Sequence, residues 1–187
     1  MPIAYSKGFN PHQLMSFALP LSLGVAGLAE VVEIELKVKT DEGEIIKKLN
    51  DALPKGLIIN EVRLLSLTEK SAASTICSAV YEIVFPFELE NSYNIIQQIL
   101  SESEILVFKK TKREHKEVNI RENIISLDSR TEHINGNKKT IIQANISAGS
   151  QKNLKVDIIS NLICERAGIN LLQIELEYIR VKFNYMR

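Results

Sequence analysis

Cysteine is scarce in this sequence. The two that occur, Cys77 and Cys164, lie far apart and outside any CxxC pair. A metal or iron–sulfur site built by this chain alone is therefore not expected. Nothing points to secretion, so both thiols are expected to be reduced and buried as small apolar residues. Net charge is also lacking, because 23 Lys and Arg face 23 Asp and Glu. A general electrostatic grip on nucleic acid or anionic lipid is thereby unsupported, and a local basic patch is left to provide one. No apolar run is long enough for a bilayer. Phe17–Leu28 is broken by Pro20, Gly24 and Gly27, and a spanning helix needs roughly 20 residues. No signal peptide is visible, so a cytoplasmic location without a membrane partner is expected. The phosphate-binding patterns GxxxxGK[ST] and GxGxxG are absent, as is any complete catalytic motif.

What is present is a core-forming composition, 45% apolar and 25% charged over 187 residues, which suits one large domain or two small ones. The first thirty residues are rich in turns. Val31–Lys39 then alternates, with Val32, Ile34, Leu36 and Val38 on one face, as a half-buried strand does. Thr40 or Asp41 caps a helix carrying Ile45, Ile46, Leu49, Ala52 and Leu53, and Pro54 and Gly56 end it. Leu57–Leu65 reads as the next strand and Ser66–Ser78 as a linker. A second series follows: strand Val80–Phe85, a helix from a Ser92 cap to Leu100 with Tyr93, Ile96 and Leu100 on one face, and strand Ile105–Phe108. After an unassigned stretch around Val118–Leu127, the turn signal Asn135-Gly136-Asn137 leads into strand Thr140–Ser147. Helix Val156–Ala167 has Gly168 at its C′ position, and strand Ile174–Tyr185 closes the chain. The expected class is α+β: two ferredoxin-like (βαββαβ) units in tandem with antiparallel sheets, residues 1–70 and 71–187, the first lacking its opening strand and helix.

The stretch Ala4-Tyr5-Ser6-Lys7-Gly8-Phe9-Asn10-Pro11-His12, continuing through Ser16-Phe17-Ala18-Leu19-Pro20-Leu21-Ser22-Leu23-Gly24-Val25, resembles the signature of the bacterial radical-SAM-linked proteins. Val118-Asn119-Ile120-Arg121 and Ser147-Ala148-Gly149-Ser150 with Asn153-Leu154 resemble two further blocks of that family. The resemblance implies a radical-SAM enzyme as partner. The iron–sulfur cluster and S-adenosylmethionine would then sit on that partner and not on this chain, which has no CxxxCxxC. It also associates the chain with RNA processing, which makes RNA a candidate ligand. Family members carry a strand and a helix, with a His-Leu-Asp segment, ahead of the Tyr5 motif. The first unit is therefore expected to leave backbone groups and an apolar face open, and to associate with a second copy or with the partner enzyme.

Three groups of residues are candidates for a site. In the Tyr5–His12 stretch, Tyr5, Ser6, Lys7, Asn10 and His12 offer a phenol, a hydroxyl, an ammonium, an amide and an imidazole for substrate binding. His12 is the candidate acid or base, since imidazole titrates near neutrality. The alternative is that Asn10 and His12 only bond the local backbone. The run Lys109, Lys110, Lys112, Arg113, His115 and Lys116 is the densest basic patch and the candidate phosphate contact, diluted by Glu114 and Glu117. A solvated charged hairpin is the reading favoured over a phosphate contact. Ser150, Lys152 and Asn153 ahead of the last helix, with Arg121 reaching the same loop, make a candidate anion nest, against an ordinary connection capped by Asn153 or Asp157. Three functions remain open: an accessory protein that recognises substrate for a radical-SAM enzyme, a stand-alone enzyme working through His12 on a phosphorylated or RNA substrate, and a structural interaction module.

Overall fold

The computed structural model describes residues 1–66, 68–110 and 115–186. It is mixed α+β and divides into two units, Met1–Ala18 with Val31–Ala72, and Leu19–Glu30 with Ala73–Arg187. Residues 19–30, which the sequence reading grouped with the first half, belong to the second unit.

In the first unit, β1 (Met15–Phe17) precedes a departure to the second unit, where β2 (Val25–Gly27) lies; the chain returns as β3 (Val32–Ile34). β1 and β3 pair antiparallel, with Phe17 opposite Val32 and Met15 opposite Ile34. The expected strand Val31–Lys39 thus shortens to three regular residues, prolonged only by an isolated bridge between Ile3 and Leu36. Helix α1 (Glu42–Ala52) starts as expected, the Asp41 carboxylate accepting from the Glu44 N–H at 3.1 Å. It stops before Pro54, whose ring cannot continue it. Leu57–Leu65, expected as a strand, has no regular structure. Its backbone finds side chains instead of a neighbouring strand: the Asn50 amide accepts from the Ile59 N–H at 2.7 Å and donates to its carbonyl at 3.1 Å. Among the described residues the first unit therefore lacks this strand of the expected tandem. Among the described residues this unit buries three apolar side chains, Ala4, Ala18 and Ile45, while Phe9, Met15, Phe17, Ile58, Leu64 and Leu65 stand exposed.

The second unit continues from the short helix α2 (Ala72–Thr75), which spans the unit boundary, into β4 (Ile76–Phe85) and α3 (Ser92–Ser101). A hairpin of β5 (Leu106–Lys110) and β6 (His115–Asn119) follows, then β7 (Ile124–Ile134), β8 (Asn137–Ser147), α4 (Val156–Ala167) and β9 (Glu177–Tyr185). The main sheet has the order β2-β9-β4-β8-β7. Setting aside the β5–β6 hairpin and β2, the series is strand, helix, strand, strand, helix, strand, with its first strand between its last and its third. Those four strands run antiparallel to their neighbours, whereas β2 adds to the β9 edge in parallel, so the sheet is mixed and not purely antiparallel. The stretch the sequence left unassigned resolves into β6, a 3₁₀ turn at Arg121–Asn123, and the start of β7. Asn135 (φ 53°) and Gly136 (φ 80°) form the two-residue turn between β7 and β8, both in the left-handed region such a turn requires.

The core of this unit is the β4–β8 centre with one face of each helix. Ile83, Phe85, Ile142, Ala144 and Ile146 are fully buried against Ile96, Ile99, Ile159 and Ile163. α3 and α4 touch each other as well as the sheet, so both lie on one of its faces. Two helix-end expectations need correction. Ser92 is the first helical residue and not the cap; Asn91 takes that place at φ 56°, while the Ser92 hydroxyl donates to Ser129. The buried stripe of α3 is Ile95, Ile96 and Ile99, and Tyr93 points outward. Gly168 does close α4 in the left-handed conformation, its N–H bonding the carbonyls of Cys164 and Glu165.

Residues 19–30 form a strap along the β9 edge. Leu28 donates to the Arg180 carbonyl at 2.9 Å. The Arg180 guanidinium, in a residue only 2% exposed, grips the Glu30 carboxylate with both Nε and Nη2, donates from Nη2 to the Leu19 carbonyl at 2.8 Å, and from Nη1 to the Tyr81 hydroxyl at 3.4 Å. Burial draws the arginine's pKa down, but the hydrogen bonds it donates to Glu30 and Tyr81 outweigh that and hold it above the ordinary value. One side chain in the final strand thus fixes both ends of a segment about 150 residues earlier.

Candidate functional site

The Tyr5–His12 motif folds as a hairpin projecting from the first unit. Ala4 anchors it: its N–H donates to Glu35 at 2.8 Å and its carbonyl accepts from Leu14 at 2.9 Å. Tyr5 bridges Gln13, and the Ser6 N–H donates to the His12 carbonyl at 2.8 Å. Pro11 supplies a fixed φ at the exit. Residues 7–11 form an exposed tip, on which the Phe9 side chain is fully in solvent.

Of the motif residues, the fold brings Ser6 and His12 together. The His12 backbone N–H donates to Ser6 Oγ at 3.1 Å, and Ser6 Oγ lies 3.0 Å from His12 Nδ1. Nδ1 is therefore engaged, and Nε2 is the ring nitrogen left for a ligand. Tyr5 goes elsewhere: its hydroxyl accepts from Gln13 Nε2 at 3.4 Å, and Lys37 Nζ sits 5.5 Å from its ring centroid. Lys7 and Asn10 remain at the exposed tip. Phe9, absent from the sequence-based candidates, is the most accessible apolar side chain of the hairpin. An apolar residue flanked by Gly8 and Asn10 in a turn was its only signal.

The basic candidates lie on the β5–β6 hairpin. Lys109, Lys110 and Lys116 occupy its paired strands, with Lys109 opposite Lys116 and Lys110 opposite His115. Lys112 and Arg113 fall outside the described residues. The preceding residue, Phe108, is 75% exposed.

The anion-nest candidates do not assemble. Arg121 donates from Nε to the Glu102 carbonyl at 3.1 Å, from Nη1 to Ile124 at 3.1 Å and from Nη2 to Leu100 at 2.9 Å. It caps the C-terminal end of α3, satisfying carbonyls the helix leaves open, and does not reach the loop. Lys152 pairs with Glu122 at 3.4 Å on the surface, and Ser150 and Asn153 are exposed. Neither Asn153 nor Asp157 caps α4; Lys155 holds that position without a side-chain cap. Gly149 is there for packing: at φ 128°, a Cβ on it would stand 2.5 Å from the Ile76 carbonyl oxygen. A cavity of about 40 Å³ between this loop and the strap, lined by Ser22, Tyr81, Lys155 and Arg180, has room for water alone. A larger one of about 210 Å³ lies between β5 and α4. Residues of the Tyr5–His12 hairpin line neither.

Both cysteines are free. Cys164 is buried as expected, and burial pushes its thiol pKa up; Cys77 is exposed, contrary to expectation, because it sits where the register of β4 against β9 shifts. Among the described residues no cluster of three or more His, Cys, Asp or Glu is placed to hold a metal ion, and no helix is long and apolar enough to cross a membrane.

No curated protein and no solved structure matches the chain. Residues 1–156, which include the projecting hairpin, the strap and the basic hairpin, match one family throughout: the chain belongs to the family described as an uncharacterized protein conserved in bacteria (DUF2344).

Proposed function

We propose that this protein is a non-catalytic accessory of a radical-SAM enzyme, presenting substrate to it, with the first unit as the docking element and RNA as the substrate class. The iron–sulfur cluster and S-adenosylmethionine belong to the enzyme in this reading. The second unit is read as ferredoxin-like and as the larger folded body of the chain. The carrying observation is the first unit's apolar surface. It buries Ala4, Ala18 and Ile45 while leaving Phe9, Met15 and Phe17 in solvent. Three small or medium side chains supply little of the burial a unit of this size needs, so a partner covering the exposed ones stabilises it. Phe9, on a hairpin tied at its base by Ser6 and His12, has the character of an interface anchor, large, apolar and held on a preorganised loop.

The stand-alone enzyme reading is the weaker one, because His12 Nδ1 is taken by Ser6 and the hairpin lies in neither described cavity. Co-purification of the chain with a radical-SAM enzyme of its native host tests the proposal. Retention is expected, with Phe9→Ala weakening it about 30-fold, the effect of losing a hot-spot side chain. Phe17→Asp should weaken it as well. Absence of a complex, or retention indifferent to both substitutions, refutes the reading; a concentration-dependent homodimer that loses affinity with the same variants assigns the surface to a second copy instead.

A further inference from the structure

β1 and β3 are three regular residues each, and the chain joins them by an excursion instead of a turn. Phe17 stands opposite Val32, and the Ala18 N–H donates to the Val31 carbonyl at 2.9 Å. That spacing would suit a two-residue turn between Ala18 and Val31. Residues 19–30 instead leave for the second unit and return. A two-stranded pair is marginal on its own, and a long loop between its strands adds closure entropy. The pair therefore needs the two ends of the excursion held together.

Arg180 holds them with one nitrogen. Its Nη2 donates to the Leu19 carbonyl at 2.8 Å and to the Glu30 carboxylate, so it ties the first residue of the excursion to the last. Its Nε adds a second bond to Glu30 at 2.8 Å. The guanidinium carbon lies 4.7 Å from the centre of the Phe183 ring, and Nη1 donates to the Tyr81 hydroxyl at 3.4 Å. Groups of β9 and β4 thus fix the fork itself, and a planar fork so placed can take two acceptors at once. Gly27 completes the clasp. A Cβ on it would stand 2.6 Å from Glu30 Cγ and from Glu30 Oε1, so the glycine leaves the glutamate room to fold back along the strap.

We propose that the Arg180 clasp is a conformational device standing in for a hairpin turn, so that the β1–β3 pair orders only while the strap is closed on β9. Met15 and Phe17, two of the docking side chains, lie on β1, so the register of the docking face follows the clasp. By linkage, a partner that requires β1 and β3 paired also favours the closed strap. The inference rests on the docking reading for this last step alone.

Hydrogen exchange on the full chain, with no partner added, tests the clasp in Gly27→Ala and Arg180→Met. The first displaces the glutamate without removing a charge, and the second removes the fork. In both, the Ala18 N–H should exchange about tenfold faster. That is part of the roughly 40-fold closure factor of a loop this long, because the β2–β9 pairing still holds its middle. The β4 and β8 amides should keep their protection. Arg121→Ala, which weakens the second unit at the end of α3 and away from the clasp, should leave Ala18 unchanged. Parent-like protection of Ala18 in both clasp variants overturns the proposal. So does equal loss at Ala18 in Arg121→Ala, or uniform loss at every amide in the clasp variants, since the clasp would then only hold the second unit together. Where a radical-SAM enzyme binds the parent, Gly27→Ala should weaken binding about tenfold although Gly27 is outside the docking surface. An enzyme that ignores the parent refutes the accessory reading and leaves the exchange result to decide the clasp.

Discussion

Removing Glu30 should damage the second unit more than removing its partner Arg180. The Arg180 residue is 2% exposed and its side chain 3%, whereas 28% of the Glu30 side chain reaches solvent. In Glu30→Ala the guanidinium stays buried with the Leu19 carbonyl and the distant Tyr81 hydroxyl as its remaining acceptors. Stranding a buried charge in this way costs about 3–5 kcal/mol. In Arg180→Met the carboxylate that loses its partner can turn to water, and an apolar chain of similar length fills the arginine's space. The loss is then about 1–2 kcal/mol, mostly hydrogen bonds. Replacing both at once should recover most of the Glu30→Ala loss, since the unpaired charge is what costs.

The assay is a thermal melt by circular dichroism with urea titration of the same four proteins. At roughly 2–4 °C per kcal/mol for a chain of this length, Glu30→Ala should fall by about 10 °C and Arg180→Met by less than half of that. Hydrogen exchange adds a local readout. The Leu28 N–H, bonded to the Arg180 carbonyl at 2.9 Å, should lose protection in Glu30→Ala before the β4 amides do, because the strap detaches first. If Glu30→Ala melts within a degree or so of the parent, or if Arg180→Met is the worse variant, the buried pair does not hold the strap and the reasoning fails.

Arg121→Ala should cost about 2–4 kcal/mol in urea midpoint, because three backbone carbonyls lose a charged donor together; Arg121→Lys, with a single ammonium, should recover only part. Gly149→Ala should destabilise by at least about 2 kcal/mol, combining a left-handed φ of 128° with a Cβ 2.5 Å from the Ile76 carbonyl, and a melt unchanged by the substitution would contradict the packing role given to that glycine. Alkaline pH should weaken the fold. Burial raises the pKa of Cys164 and of Tyr178, the latter against an opposing hydrogen bond from Ser160, so the unfolded chain gives up these protons first and stability falls as pH rises past the ordinary values of 9.0 and 10.0. Denaturant midpoints at pH 7 and pH 10 measure this, and Cys164→Ala should flatten the earlier part of the drop. In the native protein iodoacetamide should label Cys77 and spare Cys164, which reacts once denaturant is added.

What the sequence made legible was local. Asp41 ahead of an apolar 3.6-residue period, Asn135-Gly136 ahead of the alternating run Thr140–Ser147, and Gly168 behind Val156–Ala167 each encode a backbone conformation within a few residues, and each of these elements formed where it was expected. Leu57–Leu65 shows the limit. Its composition is that of a strand, but a strand exists only when another supplies hydrogen-bond partners, and the Asn50 side chain supplies them to Ile59 instead. Arg180 was illegible for a related reason. On β9 it stands at the same alternate positions as Tyr178 and Lys182, a pattern that reads as a wet face, and only the arrival of Leu19–Glu30 on that edge gives the arginine an interior with a charge to be paired. Arg121 was misread because a sequence block names a residue without its direction; two carbonyls at the end of α3 and that of Ile124 claim the guanidinium before any anion can. The same logic separates the two hairpins. At Tyr5–His12 the candidate chemistry is partly consumed internally, Ser6 on His12 and Tyr5 on Gln13, leaving Phe9 as the group with nothing to do at home. At β5–β6, Phe108 stands 75% exposed beside the cavity between β5 and α4. Residues whose bonding is complete hold the fold, and residues the fold leaves exposed and unsatisfied are where a partner has something to gain.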